Sequence, residues 1–234
     1  CYDKPVKIYR LNGVDVCGID MDENGICVGS LKSSNADVAH ISPAHHFPSG
    51  AVMPIARRSE IMKWAEEKDG RYIIEDDYDS EFRFDSHPVP ALCAMSRSGR
   101  VIYMNSFSKT LAPSIRISYM ILPDTLMERF RRELGFYSCT VPSFEQYTLE
   151  RFLSRGHFEK HINRMRKFYK SRRNRVLGAI EGCAFYEKLT ILEENAGLHF
   201  LVKVETDLSD AALSEKCRKL GLLVRPLSSY YHDA

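Results

Sequence analysis

Ser106-Phe107-Ser108-Lys109, with Arg116 seven residues farther on, sets an amine, two hydroxyls and a guanidinium at the exit of the apolar run Val101-Ile102-Tyr103-Met104. A lysine amine in a mostly enclosed site condenses with an aldehyde, and hydroxyls and a guanidinium bind phosphate, the guanidinium bidentately. Upstream, Tyr72-Ile73-Ile74-Glu75-Asp76-Asp77-Tyr78 closes a second apolar run with carboxylates and a phenol. A carboxylate facing a pyridine nitrogen keeps the ring an electron sink, and a phenol can bond its ring oxygen. Asp76 and Tyr78 are two apart, so a strand continuing through both points them to one face. Each segment alone reads as a serine turn or a solvated acidic loop. The conjunction points to pyridoxal phosphate (PLP), held at the carboxyl ends of strands in an open α/β sheet.

The elements that must position these groups read as an alternation. Val14–Ile19 and Val38–Ser42 read as short strands, with a turn at Asp22-Glu23-Asn24-Gly25 between them. Pro54 to Lys68 reads as a helix ended by Gly70, and strands follow at Tyr72–Glu75, Val101–Met104 and Ile117–Leu122. Strands alternating with helices predict a mainly parallel sheet. Pro123 starts a helix to about Leu134, and Ser143 reads as the cap of another. Phe158, Ile162, Met165, Tyr169, Val176 and Ile180 form the apolar stripe of one long helix ending near Glu181. Beyond it come strand-like Leu189–Glu193 and Leu198–Val204, a helix near Ser209–Leu220, and strand-like Leu222–Val224. The basic residues of the long helix (Lys160, Arg164, Arg166, Lys167, Lys170, Arg172, Arg173, Arg175) read as a solvated face opposite the stripe.

With 234 residues, 44% of them hydrophobic, the chain can bury a sizeable core. A formal charge of +2 gives no electrostatic ground for a nucleic-acid or membrane partner. Seven scattered cysteines form no Cys-x-x-Cys pair, which argues against a zinc site and for reduced thiols in a cytoplasm.

Three ordered motifs, Pro43-Ala44-His45-His46-Phe47-Pro48-Ser49-Gly50, Glu75-Asp76-Asp77-Tyr78-Asp79-Ser80-Glu81-Phe82 and Ser106-Phe107-Ser108-Lys109-Thr110-Leu111-Ala112-Pro113, carry a resemblance. The chain resembles fold-type I PLP enzymes, the aspartate aminotransferase superfamily, and more closely the MocR/GabR branch of the GntR regulators. The resemblance implies an α/β fold-type I fold: residues 1–155 as part of the large PLP-binding domain, and 156–234 as the connecting helix and part of a smaller α+β domain. It matches Lys109 to the Schiff-base lysine, Asp76 to the pyridinium partner and Tyr78 to the phenol at the ring oxygen. Ser106, Ser108 and Arg116 match phosphate ligands. Tyr2 matches an aromatic on the substrate side, and His45 or His46 approaches the ring from its turn.

Working aminotransferases commonly place an asparagine before the proline of that turn; Phe47 stands there and has no donor, which favours a sensor over a high-turnover enzyme. The resemblance implies a small amine or amino acid as effector, a homodimer, and DNA bound through an amino-terminal winged helix-turn-helix that this chain does not contain. Both ends look cut relative to the family, with the arginine for a substrate carboxylate expected beyond Ala234. The alternative implied is a class I/II aminotransferase acting on an amino acid.

Overall fold

The computed structural model describes residues 3–84, 89–193 and 195–231. The chain runs through α1 (Asp3–Leu11), a hairpin of β1 (Met21–Asp22) and β2 (Gly25–Ile26), α2 (Val28–Ser33), β3 (Val38–Ile41), α3 (Ile55–Glu66) and β4 (Tyr72–Asp76). It continues through α4 (Leu92–Met95), β5 (Val101–Ser106), α5 (Phe107–Thr110), β6 (Ser118–Ile121), α6 (Asp124–Leu134) and α7 (Ser143–Ser154). The long α8 (His157–Glu181), β7 (Leu189–Leu192), β8 (Leu201–Val204) and α9 (Asp210–Lys219) complete it.

The main sheet has the order β3-β4-β5-β6. The β3–β4 and β4–β5 pairs are parallel, and β6 runs antiparallel to β5. Asp76 lies across from Met104, and Ser106 from Ser118. Strand alternation sorts the residues by face. Ile73 and Glu75 of β4 point into the core, where Ala39, Ile41 and Val101 meet Leu31 of α2 and Ile61, Trp64 and Ala65 of α3. Ile61, Trp64 and Ala65 recur at the i, i+3, i+4 spacing of one helix face.

Glu75 is a structural residue. Its carboxylate accepts from the N–H groups of Leu92 and Cys93, both at 2.9 Å, at the start of α4. Beside it the fully buried Arg58 donates to the carbonyls of Met53, Pro90 and Pro43 (2.9, 3.0 and 2.7 Å), with Nη1 3.9 Å from Glu75 Oε1. Burial pushes the Glu75 carboxyl up and the Arg58 guanidinium down.

Several expectations need correction. Val14–Ile19 is not a strand; the expected Asp22–Gly25 turn instead joins β1 to β2, with Asn24 N–H donating to Asp22 Oδ1 (2.8 Å). Leu198 is not in β8, because its N–H is taken by Asp79 Oδ2 (3.2 Å). Leu222–Val224 forms no strand; the Leu222 N–H turns back to the Cys217 carbonyl. Ser143 is the first helical residue of α7, and Pro142 precedes it as the cap, its carbonyl accepting from Gln146 N–H. On α8, Ile162 is buried and Tyr169 packs edge-on against Phe82 at 5.3 Å, while Val176 is exposed. Lys160, Arg164, Lys167, Arg172 and Arg175 are exposed, as a solvated face requires, but Arg166 donates to the Glu81 carbonyl and Arg173 lies over the Phe84 ring. No helix among the described residues is long and apolar enough to cross a membrane.

Candidate functional site

β5 ends at Ser106 and passes directly into the single turn of α5, which carries Ser108 and Lys109. The chain returns through Arg116, which holds a left-handed backbone (φ 51°) uncommon for a residue with a side chain. The excursion is closed at its base, because Phe107 N–H donates to the Ile117 carbonyl (2.9 Å). From the far side, His161 Nε2 of α8 donates to the Thr110 carbonyl at 2.9 Å. Ser106 and Ser108 are half-buried, and Lys109 and Arg116 are exposed. The expected enclosure of the lysine is therefore not met in this chain: all four residues of β6 beside it are exposed. Among the described residues the two hydroxyls, the ammonium and the guanidinium have no side-chain hydrogen-bond or ion-pair partner.

Asp76 ends β4 on the face opposite Glu75. Its neighbour across the ladder is Met104, and two residues on from Met104 the same face carries Ser106. Asp76 Oδ2 lies 3.6 Å from His40 Nε2, and His40 Nδ1 is 2.9 Å from the Tyr9 hydroxyl of α1. β4 stops at Asp76, so the condition under which Asp76 and Tyr78 would share a strand face is not met. Asp77 turns inward, its N–H on the Met104 carbonyl and its carboxylate accepting from Tyr103 (2.8 Å) and Ser80 (2.9 Å). Tyr78 thus comes from the bend after β4, with its hydroxyl 3.4 Å from His45 Nδ1. Burial, then the charges of Asp79, Asp76 and Asp77, push its phenol far up, so it stays protonated and able to donate.

His45 and His46 are both committed within the protein. His45 Nδ1 donates to Asp79, 2.9 Å from Oδ2, and both side chains are almost wholly buried. His46 Nδ1 bonds Ser49 Oγ at 2.8 Å, and burial lowers its pKa to about 4. His199 stacks near His45 (4.2 Å between centroids), and its pKa is also lowered to about 4, by burial first and then by His45. Lys109's charge adds to that lowering. His45, Asp79 and His199 offer ligand atoms within 4.8 Å of one another. Asp79 is already engaged by His45 and Leu198 N–H, and a Cβ on Gly197 would stand 1.9 Å from His45 Nδ1. This cluster is a filled junction between residues 197–199 and the Tyr78 loop. Phe47, which lacks a donor, packs edge-on against His199 (5.4 Å) and Tyr230 (5.0 Å). Tyr2 lies outside the described residues.

Sequence reasoning missed Tyr9, His40 and His199 and gave Asp79 no role. Their contacts span 31 residues (Tyr9 to His40) and 119 (Asp79 to Leu198), so no local pattern signals them. The donor set at the sheet end fits a phosphorylated pyridine aldehyde: an amine, hydroxyls and a guanidinium without protein partners, and a carboxylate beside them.

The comparisons agree with this chemistry. A profile described as aminotransferase class I and II matches residues 4–233. The uncharacterised HTH-type transcriptional regulator YdeL of Bacillus subtilis is 41% identical over 99% of this chain and 50% of its own length. The probable rhizopine catabolism regulatory protein MocR of Rhizobium meliloti is 35% identical over 94% of this chain and 45% of its own. The chain thus spans about half the length of the curated relatives it matches, and its likeness to MocR-type regulators covers nearly all of it. Among solved structures, the Pyrococcus horikoshii kynurenine aminotransferase in complex with PMP superposes with a TM-score of 0.78 at 28% identity, over 91% of this chain and 55% of that one. With the fold-type I sheet and the lysine turn at its carboxyl end, the chain belongs to the aminotransferase class I and II family.

Proposed function

We propose that this chain is the PLP-binding, effector-sensing part of a MocR/GabR-like transcription regulator. The observation that carries the reading is the set of uncommitted groups at one end of the sheet: Ser106, Ser108, Lys109 and Arg116 on one excursion, with Asp76 on the neighbouring strand. Bound PLP supplies an aldehyde and an electron-withdrawing ring. Lys109 would hold the aldehyde, Asp76 would serve the ring nitrogen, and Tyr78 would donate to the ring oxygen. Ser106, Ser108 and Arg116 take the phosphate. A small amine or amino acid is the effector, and its arrival changes DNA affinity by linkage. Residues 1–155 belong to the large domain and 156–234 to the connecting helix and small domain of a cytoplasmic homodimer that reads DNA through a separate amino-terminal module. The regulator names of the relatives and the apolar Phe47 favour this over a turnover aminotransferase.

The test uses the full-length protein. Borohydride reduction with PLP followed by peptide mapping is expected to label Lys109, and Lys109→Ala to abolish the label. Labelling at another lysine overturns the assignment. An amine panel is then screened for altered DNA affinity; sustained conversion of an amino acid to its keto acid, with DNA affinity unmoved, favours the aminotransferase.

A further inference from the structure

We propose that Tyr9 and His40 are positioning residues for Asp76, holding its carboxylate oriented for a pyridine nitrogen. The proposal rests on the PLP reading above. His40 stands on β3 across from Ile74, two residues before Asp76, so alternation puts His40 and Asp76 on one sheet face. Tyr9, from α1, meets the His40 ring edge-on (5.8 Å between centroids, 72° between planes).

The hydrogen positions follow from the donors. Burial, then the charge of Asp76, raises the Tyr9 pKa, so its phenol keeps a proton to give. His40 Nδ1, 2.9 Å away, accepts it, which leaves the imidazole hydrogen on Nε2. That N–H lies 3.6 Å from Asp76 Oδ2. The hydrogens thus run one way, from Tyr9 to His40 and from His40 towards Asp76 Oδ2, which fixes the side from which the carboxylate is held. His40 and Asp76 keep 21% and 28% of their side-chain surface exposed, so the interaction is only partly screened. Oδ1 has no hydrogen-bond partner among the described residues and remains for the ring nitrogen. His40 and Tyr9 thus act on the cofactor only through Asp76.

The test compares PLP with an analogue carrying carbon in place of the ring nitrogen, in the full-length protein. His40→Leu is expected to weaken PLP retention roughly threefold, the worth of a partly screened N–H dipole facing a carboxylate at 3.6 Å, while His40→Gln, which keeps a donor, stays near wild type. With the analogue the His40→Leu loss disappears. Tyr9→Phe, which removes one oxygen, serves if His40→Leu does not fold; it shows a smaller loss that also disappears with the analogue. In the cofactor-free protein, imidazole nitrogen NMR is expected to place the His40 hydrogen on Nε2, and Tyr9→Phe to erode that preference. Equal losses with PLP and analogue overturn the proposal in favour of a packing role. Unchanged PLP retention in both variants, where Asp76→Asn weakens it, overturns the proposal and leaves the PLP reading standing. No trapping at Lys109 in the wild type overturns both.

Discussion

Glu75 and Asp76 are consecutive carboxylates on one strand, and their surroundings are opposite. Glu75 faces the core, is almost wholly buried, and has both oxygens engaged by N–H groups beside the buried Arg58. Asp76 faces the other side, half-buried, with one oxygen near His40 and the other unclaimed. A one-residue step on a pleated strand thus separates a carboxylate that joins segments from one that is available to chemistry. Residue type does not distinguish them; the state of their hydrogen-bonding capacity does.

The contrast is sharpest where the closed side is broken. Arg58→Ala would leave the buried Glu75 carboxylate without its neighbouring cation and the Met53 carbonyl without the Arg58 donor, and is expected to cost about 3–5 kcal/mol, read by urea unfolding. Gly197→Ala tests the other filled junction: its Cβ would press within 1.9 Å of His45 at a backbone φ of +68°. A loss of about 2–3 kcal/mol in the same assay is expected.

The neutral histidines give a pH signature. The pKa values of His46 and His199 are depressed to about 4 from 6.5, so the unfolded chain takes up protons that the folded one refuses. Their contribution to stability is present above pH 6.5 and lost as pH falls towards 4, at up to about 1.4 kcal/mol per pH unit for each ring. The raised carboxyls of Glu75 and Glu81 act in the opposite sense. The clean reading is therefore the difference between wild type and a His46→Gln/His199→Asn variant, which should lose stability less steeply on acidification. Asp76→Asn is expected to leave unfolding within about 0.5 kcal/mol of wild type while weakening PLP retention. A loss as large as that of Arg58→Ala would erase the distinction between the two carboxylates.

The chemistry at the sheet end was legible because it is local: two apolar runs, each followed within five residues by polar groups, with Arg116 twelve residues after Met104. Their sheet pairing followed from the alternation with helices. The end of β4 was read to within one residue; the inward turn of Asp77 that follows was not legible, since it depends on the Asp77 N–H finding the Met104 carbonyl across the sheet. Helix α2, six residues long, is too short for a periodic pattern to show. Helix α1 went unread, and with it the partner of His40; a histidine inside a strand signals nothing until the element covering it is known. Asp79 sat within a quoted motif, but its partners His45 and Leu198 lie 34 and 119 residues away. Leu222–Val224 shows the converse failure, an apolar run that pairs with no strand among the described residues.

The closed base of the lysine excursion has a consequence for variation. Ser106 faces Ser118 and Phe107 bonds Ile117, so the segment between them leaves and rejoins the sheet at one fixed point. Its exposed positions, Lys109, Pro113, Ser114 and Arg116, are the ones open to exchange without shifting the register of β5 and β6, while the buried Thr110, tied to His161, stays part of the frame. Chemistry can therefore be edited in that segment while the frame that presents it stays unchanged, an arrangement suited to one scaffold serving both sensors and enzymes.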